Sequence, residues 1–195
     1  MNLQIGQFRA YDYFGDGSYY LLDTPGHAIG HLAGLARVTT SSDTESDSDT
    51  FIVMAGDLTH HSSELRPNTH LPLPTHLPLS TLSTLALPSP CPAHILDPLY
   101  TSRGLTPGQP LFTCATGTDK PLAIQTIKHA MPIDADEDVL YLSAHDAKIE
   151  GVLDMWPQGN LDAWKEKGWR EDLIWRFLED FGEPLRRVTE GAGRL

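Results

Sequence analysis

The sequence predicts an α/β fold, and three features carry the prediction. Two short apolar runs, Phe51-Ile52-Val53-Met54-Ala55 and Val139-Leu140-Tyr141-Leu142-Ser143-Ala144, have the length and composition of strands buried on both faces. Gly15-Asp16-Gly17 separates two β-rich runs in the manner of a hairpin turn. Helical spacing then appears in two later stretches, residues 119–130 and 164–181. With 195 residues the chain is long enough for one domain with a real core, and it is read as a single unit over 1–195.

Leu3, Ile5 and Phe8 open a strand expected to continue through Tyr11 to Phe14. A second strand over 18–23 leads into Thr24-Pro25-Gly26-His27-Ala28-Ile29-Gly30-His31, and a third continues over 32–40. Pro25 fixes φ while Gly26 and Gly30 open backbone angles closed to other residues, so this loop can hold two imidazoles with little freedom. His27 and His31 read either as metal ligands or as turn histidines bonded to backbone. Residues 41–50 are acidic and polar, with no apolar side chain to bury, and are expected to form a mobile solvated connection.

The strand at 51–55 ends abruptly in Gly56-Asp57-Leu58-Thr59-His60-His61. A turn or cap aspartate is the ordinary reading of Asp57, but its place at a strand exit also matches the functional ends of strands in layered α/β proteins. His60 and His61 read as supporting or substrate-facing groups, or as exposed loop histidines. The stretch 67–110 is dense in proline and holds a near-duplication, Thr69-His70-Leu71-Pro72-Leu73-Pro74 then Thr75-His76-Leu77-Pro78-Leu79-Ser80. Proline at this density argues against helix, so an extended insertion lying over the body is expected, held down by its leucines. Asp119 caps a helix predicted to run to about Ala130, with Pro121 in its first turn. The strand at 139–144 then ends in His145-Asp146, the third strand exit to carry a group able to bind metal. Trp169, Leu173, Phe177, Leu178 and Phe181 predict one amphipathic helix packed on the sheet, and a frayed tail is expected after Pro184.

A net charge of −12 without a Lys/Arg cluster argues against nucleic acid and anionic membrane and suits a small-molecule substrate. Cys91 and Cys114 are too few for a disulfide framework or a cysteine-based zinc site and read as ordinary thiols of a reducing compartment. No secretory leader pattern opens the sequence and no apolar run approaches a membrane span, so a cytoplasmic location is expected.

Taken together, the residues from Thr24 to His31, Gly56-Asp57 and Ala144-His145-Asp146 resemble the last three metal motifs of the metallo-β-lactamase superfamily. The tail, from Met155-Trp156-Pro157 through Trp175-Arg176-Phe177-Leu178-Glu179-Asp180-Phe181, is similar to the fungal branch. The resemblance implies an αββα sandwich with a dinuclear zinc centre at one edge. In it His31 corresponds to the third histidine of the first metal, Asp57 to the bridging carboxylate, His145 to the last histidine of the second metal, and His27 to a usually non-ligating neighbour. The family motif His-x-His-x-Asp-His is absent from these residues, so the resemblance covers a C-terminal part, truncated to roughly half of the fold.

Two functional classes follow. One is a hydrolase of lactones, lactams, esters or thioesters acting through metal-bound hydroxide, impaired here because only His31 and Asp57, or Asp57 and His145, remain for each metal. Up to two zinc ions in a complete member would then bind weakly or not at all. The other is a non-catalytic interaction protein, in which a homodimer or another partner covers the sheet face that the missing half would have covered. A mononuclear centre of the non-haem iron type uses the same ligand classes and ranks below both.

Overall fold

The strands alternate their side chains between two faces, and that alternation assigns the helices to the sheet. A computed structural model describes residues 2–41, 48–77, 92–185 and 187. Six strands form one sheet in sequence order: β1 (Leu3–Ile5), β2 (Phe8–Asp12), β3 (Tyr19–Asp23), β4 (Leu32–Thr39), β5 (Thr50–Met54) and β6 (Val139–Leu142). The first five are antiparallel to their neighbours, and β6 joins β5 in parallel. The result is a mixed α/β sheet with a few short helices.

Phe8, Ala10, Leu22, Ala33, Leu35, Val53 and Val139 share one face and pack with Ala123, Ile127 and Ala130 of α2 (Lys120–Ala135), which follows the shorter α1 (Asp97–Ser102) in the chain. On the opposite face, Ile52 and Leu140 pack with Leu153, Trp164, Trp169 and Leu173, the last two from α3 (Trp169–Ile174). A third apolar cluster lies around α1 and the C-terminal segment. No helix among the described residues is long and apolar enough to cross a membrane.

Several expectations are corrected. The first predicted strand is two, since a turn at Gly6-Gln7 folds β1 back on β2. Asp12 then accepts the amides of Gly15 and Gly17, each at 2.9 Å, which closes the expected β2–β3 hairpin. Thr50, expected in the acidic connection, begins β5, where its hydroxyl meets that of Thr39 at 2.5 Å and only 3% of the residue is exposed. Residues 42–47 of that connection lie outside the described residues. Within the proline-rich insertion a helix does form: Pro98 sits in the first turn of α1, where a missing N–H costs nothing. Leu71, Leu73 and Leu77 cluster with Leu96, Leu99 and Tyr100 of the same insertion and with the C-terminal aromatic residues, which anchor it, whereas residues 78–91 lie outside the described residues.

The helix capped by Asp119 accepts the Leu122 amide as expected but passes through Pro132 and runs on to Ala135. Contacts beyond the proline compensate for its lost hydrogen bond: Asp134 forms a two-pronged ion pair with Arg66, and its carbonyl accepts from Arg170 at 2.8 Å. The predicted C-terminal amphipathic helix is broken at Trp175, after which Arg176–Phe181 tighten into a 3-10 turn. Two cores compete for this segment. Trp169 and Leu173 go to the sheet, while Trp175, Phe177, Leu178 and Phe181 go to the cluster around α1, and the break re-aims the chain from one to the other. The tail at 186 and 188–195 lies outside the described residues.

Arg66 and Asp134 are both nearly inaccessible, and Arg66 also donates to the Ile174 carbonyl at 3.0 Å. Burial disfavours the guanidinium charge, but Asp134 more than offsets this and holds Arg66 protonated. One ion pair thus ties the segment after β5 to α2 and α3. Replacing Asp134 with Ala strands the Arg66 charge and is expected to cost about 3–5 kcal/mol, measured as a shift of the urea unfolding midpoint.

Candidate metal centre

The centre lies where four chain segments leave the sheet at one end. The loop between β3 and β4 is pinned across its base, with the Thr24 amide donating to the His31 carbonyl at 3.2 Å. It is clamped from outside by the start of α2: the Asp119 amide donates to the Gly26 carbonyl at 2.9 Å, the Thr118 amide to the His27 carbonyl at 2.8 Å, and the Thr126 hydroxyl to the Pro25 carbonyl at 2.6 Å. Gly26, at φ 122°, makes this approach possible, because a Cβ there would lie 2.3 Å from the Ala123 nitrogen. The rigidity expected from Pro25 and Gly26 therefore comes from packing on α2 as well as from the turn.

On the other side, the Ala55 amide donates to the Leu142 carbonyl at 2.8 Å and the Ala144 amide to the Gly56 carbonyl at 3.0 Å, so the exits of β5 and β6 stay paired past the strands themselves. Gly56 turns the chain at φ 58°, and a Cβ there would stand 3.2 Å from His31 Nε2. The 3-10 turn Gly56–Leu58 then presents Asp57 to the histidines.

Asp57 Oδ1 lies 2.8 Å from His145 Nε2, and its Oδ2 lies 3.3 Å from His27 Nε2. One carboxylate thereby spans two imidazoles from opposite sides of the centre. The His60 ring fills the space between them, 4.9 Å from the His27 ring and stacked 5.1 Å from that of His145. One donor atom each from Asp57, His60 and His145 lie within 4.8 Å of one another, a span close to that of ligands sharing one ion through bonds of about 2 Å. His27 Nδ1 is buried with no hydrogen-bond partner. Two imidazoles and a carboxylate, beside an orphaned ring nitrogen, fit a divalent ion such as zinc.

His31 stands next to this group and is used differently. Its Nε2 accepts the Asp57 amide at 3.1 Å, so its Nδ1 carries the proton and donates towards the Thr24 hydroxyl at 2.8 Å and carbonyl at 3.0 Å. A metal on His31 Nε2 would have to displace the Asp57 amide. His61 faces away: its Nδ1 accepts the Ser63 amide, its Nε2 meets Asp180 Oδ2 at 3.2 Å, and Phe112, Phe177 and Phe181 surround the ring. With the Ser62 hydroxyl on Asp146 at 2.8 Å and Lys148 on Asp180 at 2.8 Å, His61 braces the loops that carry His60 and His145. Burial raises the Tyr141 phenol far above its usual range, so it stays neutral where its oxygen meets the Thr59 hydroxyl beneath the turn.

Two residues near the centre escape a reading of the sequence. Glu64 receives the His60 amide at 2.9 Å, and Cys114 lies close enough for its sulfur to join His60 and Glu64 in a second donor group. Glu64 sits four residues past His60 in an unremarkable turn, and Cys114 is distant in sequence, so no local spacing announces either.

No family model matches the chain, and no solved structure matches it. Among curated proteins, a metallo-hydrolase of Annulohypoxylon moriforme is 38% identical over 194 residues, which is 98% of this chain and 48% of that protein. A gamma-lactamase of Fusarium pseudograminearum is 36% identical over 183 residues, 92% of this chain and 42% of that protein. A Penicillium brevicompactum protein named a cytochrome P450 monooxygenase is 39% identical over 182 residues, 93% of this chain but 18% of its own length. The chain thus spans less than half the length of these relatives. With its three strand exits meeting in one centre and similarity over nearly its whole length to proteins named metallo-hydrolase and gamma-lactamase, the chain resembles part of a metallo-β-lactamase-type protein.

Proposed function

We propose that this chain is the metal-holding portion of a hydrolase that opens lactam or lactone rings, with zinc as its ion. The observation that carries the reading is the convergence of Asp57, His60 and His145 at one end of the sheet. When bound, zinc polarises a substrate carbonyl and supplies a nucleophilic hydroxide at neutral pH. The ligands would be Asp57, His60 and His145, with His31 holding the Asp57 backbone and His27 holding the second carboxylate oxygen. The gamma-lactamase name of the Fusarium relative supports a cyclic amide as substrate.

His-x-His-x-Asp-His does not occur in these residues, so catalysis by this chain alone is proposed to be slow. Metal binding is the sharper test. Purified Cys114→Ser chain, which lacks the sulfur of the second donor group, should take up zinc after stripping with a chelator, and adding Asp57→Asn should weaken that uptake by roughly 10–100-fold or more and remove any hydrolysis of a γ-lactam panel. Zinc affinity equal in the single and double variants would defeat the assignment.

A specific feature supports a second part of the proposal, that the sheet is covered by another sheet. Opposite α2, Tyr11, Leu21, Gly34 and Met54 lie in register across β2 to β5. Tyr11 and Met54 are 49% and 44% exposed, as is Leu32 at 42% on the same face. Leaving such a face wet forfeits about 25 cal/mol per Å². In the sandwich implied by the family this face meets the other half, and in the isolated chain it meets a second copy. Sedimentation should therefore show association that Tyr11→Asp and Met54→Asp together abolish; a parent monomer that binds no apolar-surface dye would count against the sandwich.

A further inference from the structure

We infer that His60, Glu64 and Cys114 form a second cation site, chemically softer than the Asp57 centre and open to its own cleft. One donor atom from each residue lies within 4.8 Å of the other two. Glu64 and Cys114 are 8% and 6% exposed. A nearly dry carboxylate beside an imidazole is unusual for a core position, because a buried carboxylate needs a partner there, and Cys114 adds a sulfur donor to the pair. As a donor set they combine nitrogen, oxygen and sulfur, which suits zinc, cobalt or cadmium rather than magnesium or calcium.

The surroundings meet the other requirements of a metal site. The His60 amide fixes one oxygen of Glu64 at 2.9 Å. The Cys114 thiol donates to the Thr116 carbonyl at 3.2 Å, and the Thr116 hydroxyl lies 3.3 Å from His60 Nδ1. A path to the ion exists as well: a cleft of about 300 Å³ has Glu64, Cys114, Phe112, Ile127, Lys128 and Met131 among its lining. Binding releases the thiol proton to solvent and replaces the contact to Thr116 with a metal–sulfur bond.

His60 belongs to both donor groups and couples them. Removing Asp57 leaves His60 free to serve the second site, whereas removing Cys114 leaves the first site intact. That difference separates this inference from the proposed hydrolytic centre.

The test is cobalt(II) titration of the full chain, stripped of metal and reduced, read through the near-ultraviolet sulfur-to-cobalt charge-transfer band. The parent and Asp57→Asn should both show the band. Cys114→Ser should lose it while keeping cobalt binding at the other centre, and Glu64→Gln, whose amide oxygen still accepts the His60 N–H, should weaken it by roughly tenfold or more. Circular dichroism confirms that each variant is folded, and the parent titration stands without any variant. Absence of the band in the parent overturns the inference. So does a band that survives Cys114→Ser, which would belong to Cys91, or one lost in Asp57→Asn but unchanged in Glu64→Gln, which would assign Cys114 to the first centre.

Discussion

The parallel pairing of β5 with β6 is the constraint on which the centre depends. Met54 pairs with Leu142, and Asp57 and His145 each lie three residues beyond that pair. In a parallel ladder equal offsets land side by side, whereas an antiparallel ladder would send the two residues to opposite ends of the sheet. The antiparallel side of the sheet agrees with this register. Gly34 pairs with Met54, so stepping back three residues along β4 and forward three along β5 sets His31 opposite Asp57, where its Nε2 takes the Asp57 amide. Two strand directions and two offsets therefore deliver three groups to one point.

Holding those groups still requires a frame that the sheet alone does not provide. The histidine loop leans on α2 through backbone contacts that a side chain at position 26 would prevent. The same helix is tied to the loop after β5 by the buried Arg66–Asp134 pair. Such a pair gains little over apolar packing when intact but is costly to break. Its effect here is to couple α2, α3 and the loop bearing His60, so that the loops around the centre share one support.

Much of this was legible in the sequence, for a reason that also explains the failures. Asp57 and His145 stand out because each directly follows a short apolar run, and such runs announce strands over a few residues. His60 reads as a supporting, substrate-facing or merely exposed loop residue, because its place depends on how the turn at 56–58 rotates the chain and on a ring stack with His145. Neither has a sequence signature. Cys114 and Glu64 meet across 50 positions, a contact that only tertiary packing creates. The helix errors are of the same kind: periodicity in 169–181 is consistent with one straight helix, but its apolar residues serve two separate cores, and the break at Trp175 satisfies both. In both α1 and α2 more helix forms than the sequence suggests: Pro98 is tolerated in a first turn, and Pro132 is overridden by the contacts of Asp134.

The exposed sheet face and the centre are not independent. Leu32 directly follows His31, and Met54 lies three residues before Asp57, so the apolar row ends beside the candidate metal centre. Whatever covers that row must approach the open side of Asp57, His60 and His145. On the proposed reading, a second sheet packed there gains its stability from burying Tyr11, Leu32 and Met54, and that same contact positions its own loops over the ion. Apolar packing and completion of the metal's coordination then become one event. This gives a physical reason for a half-covered sheet and a partly furnished centre to occur at the same edge of this chain.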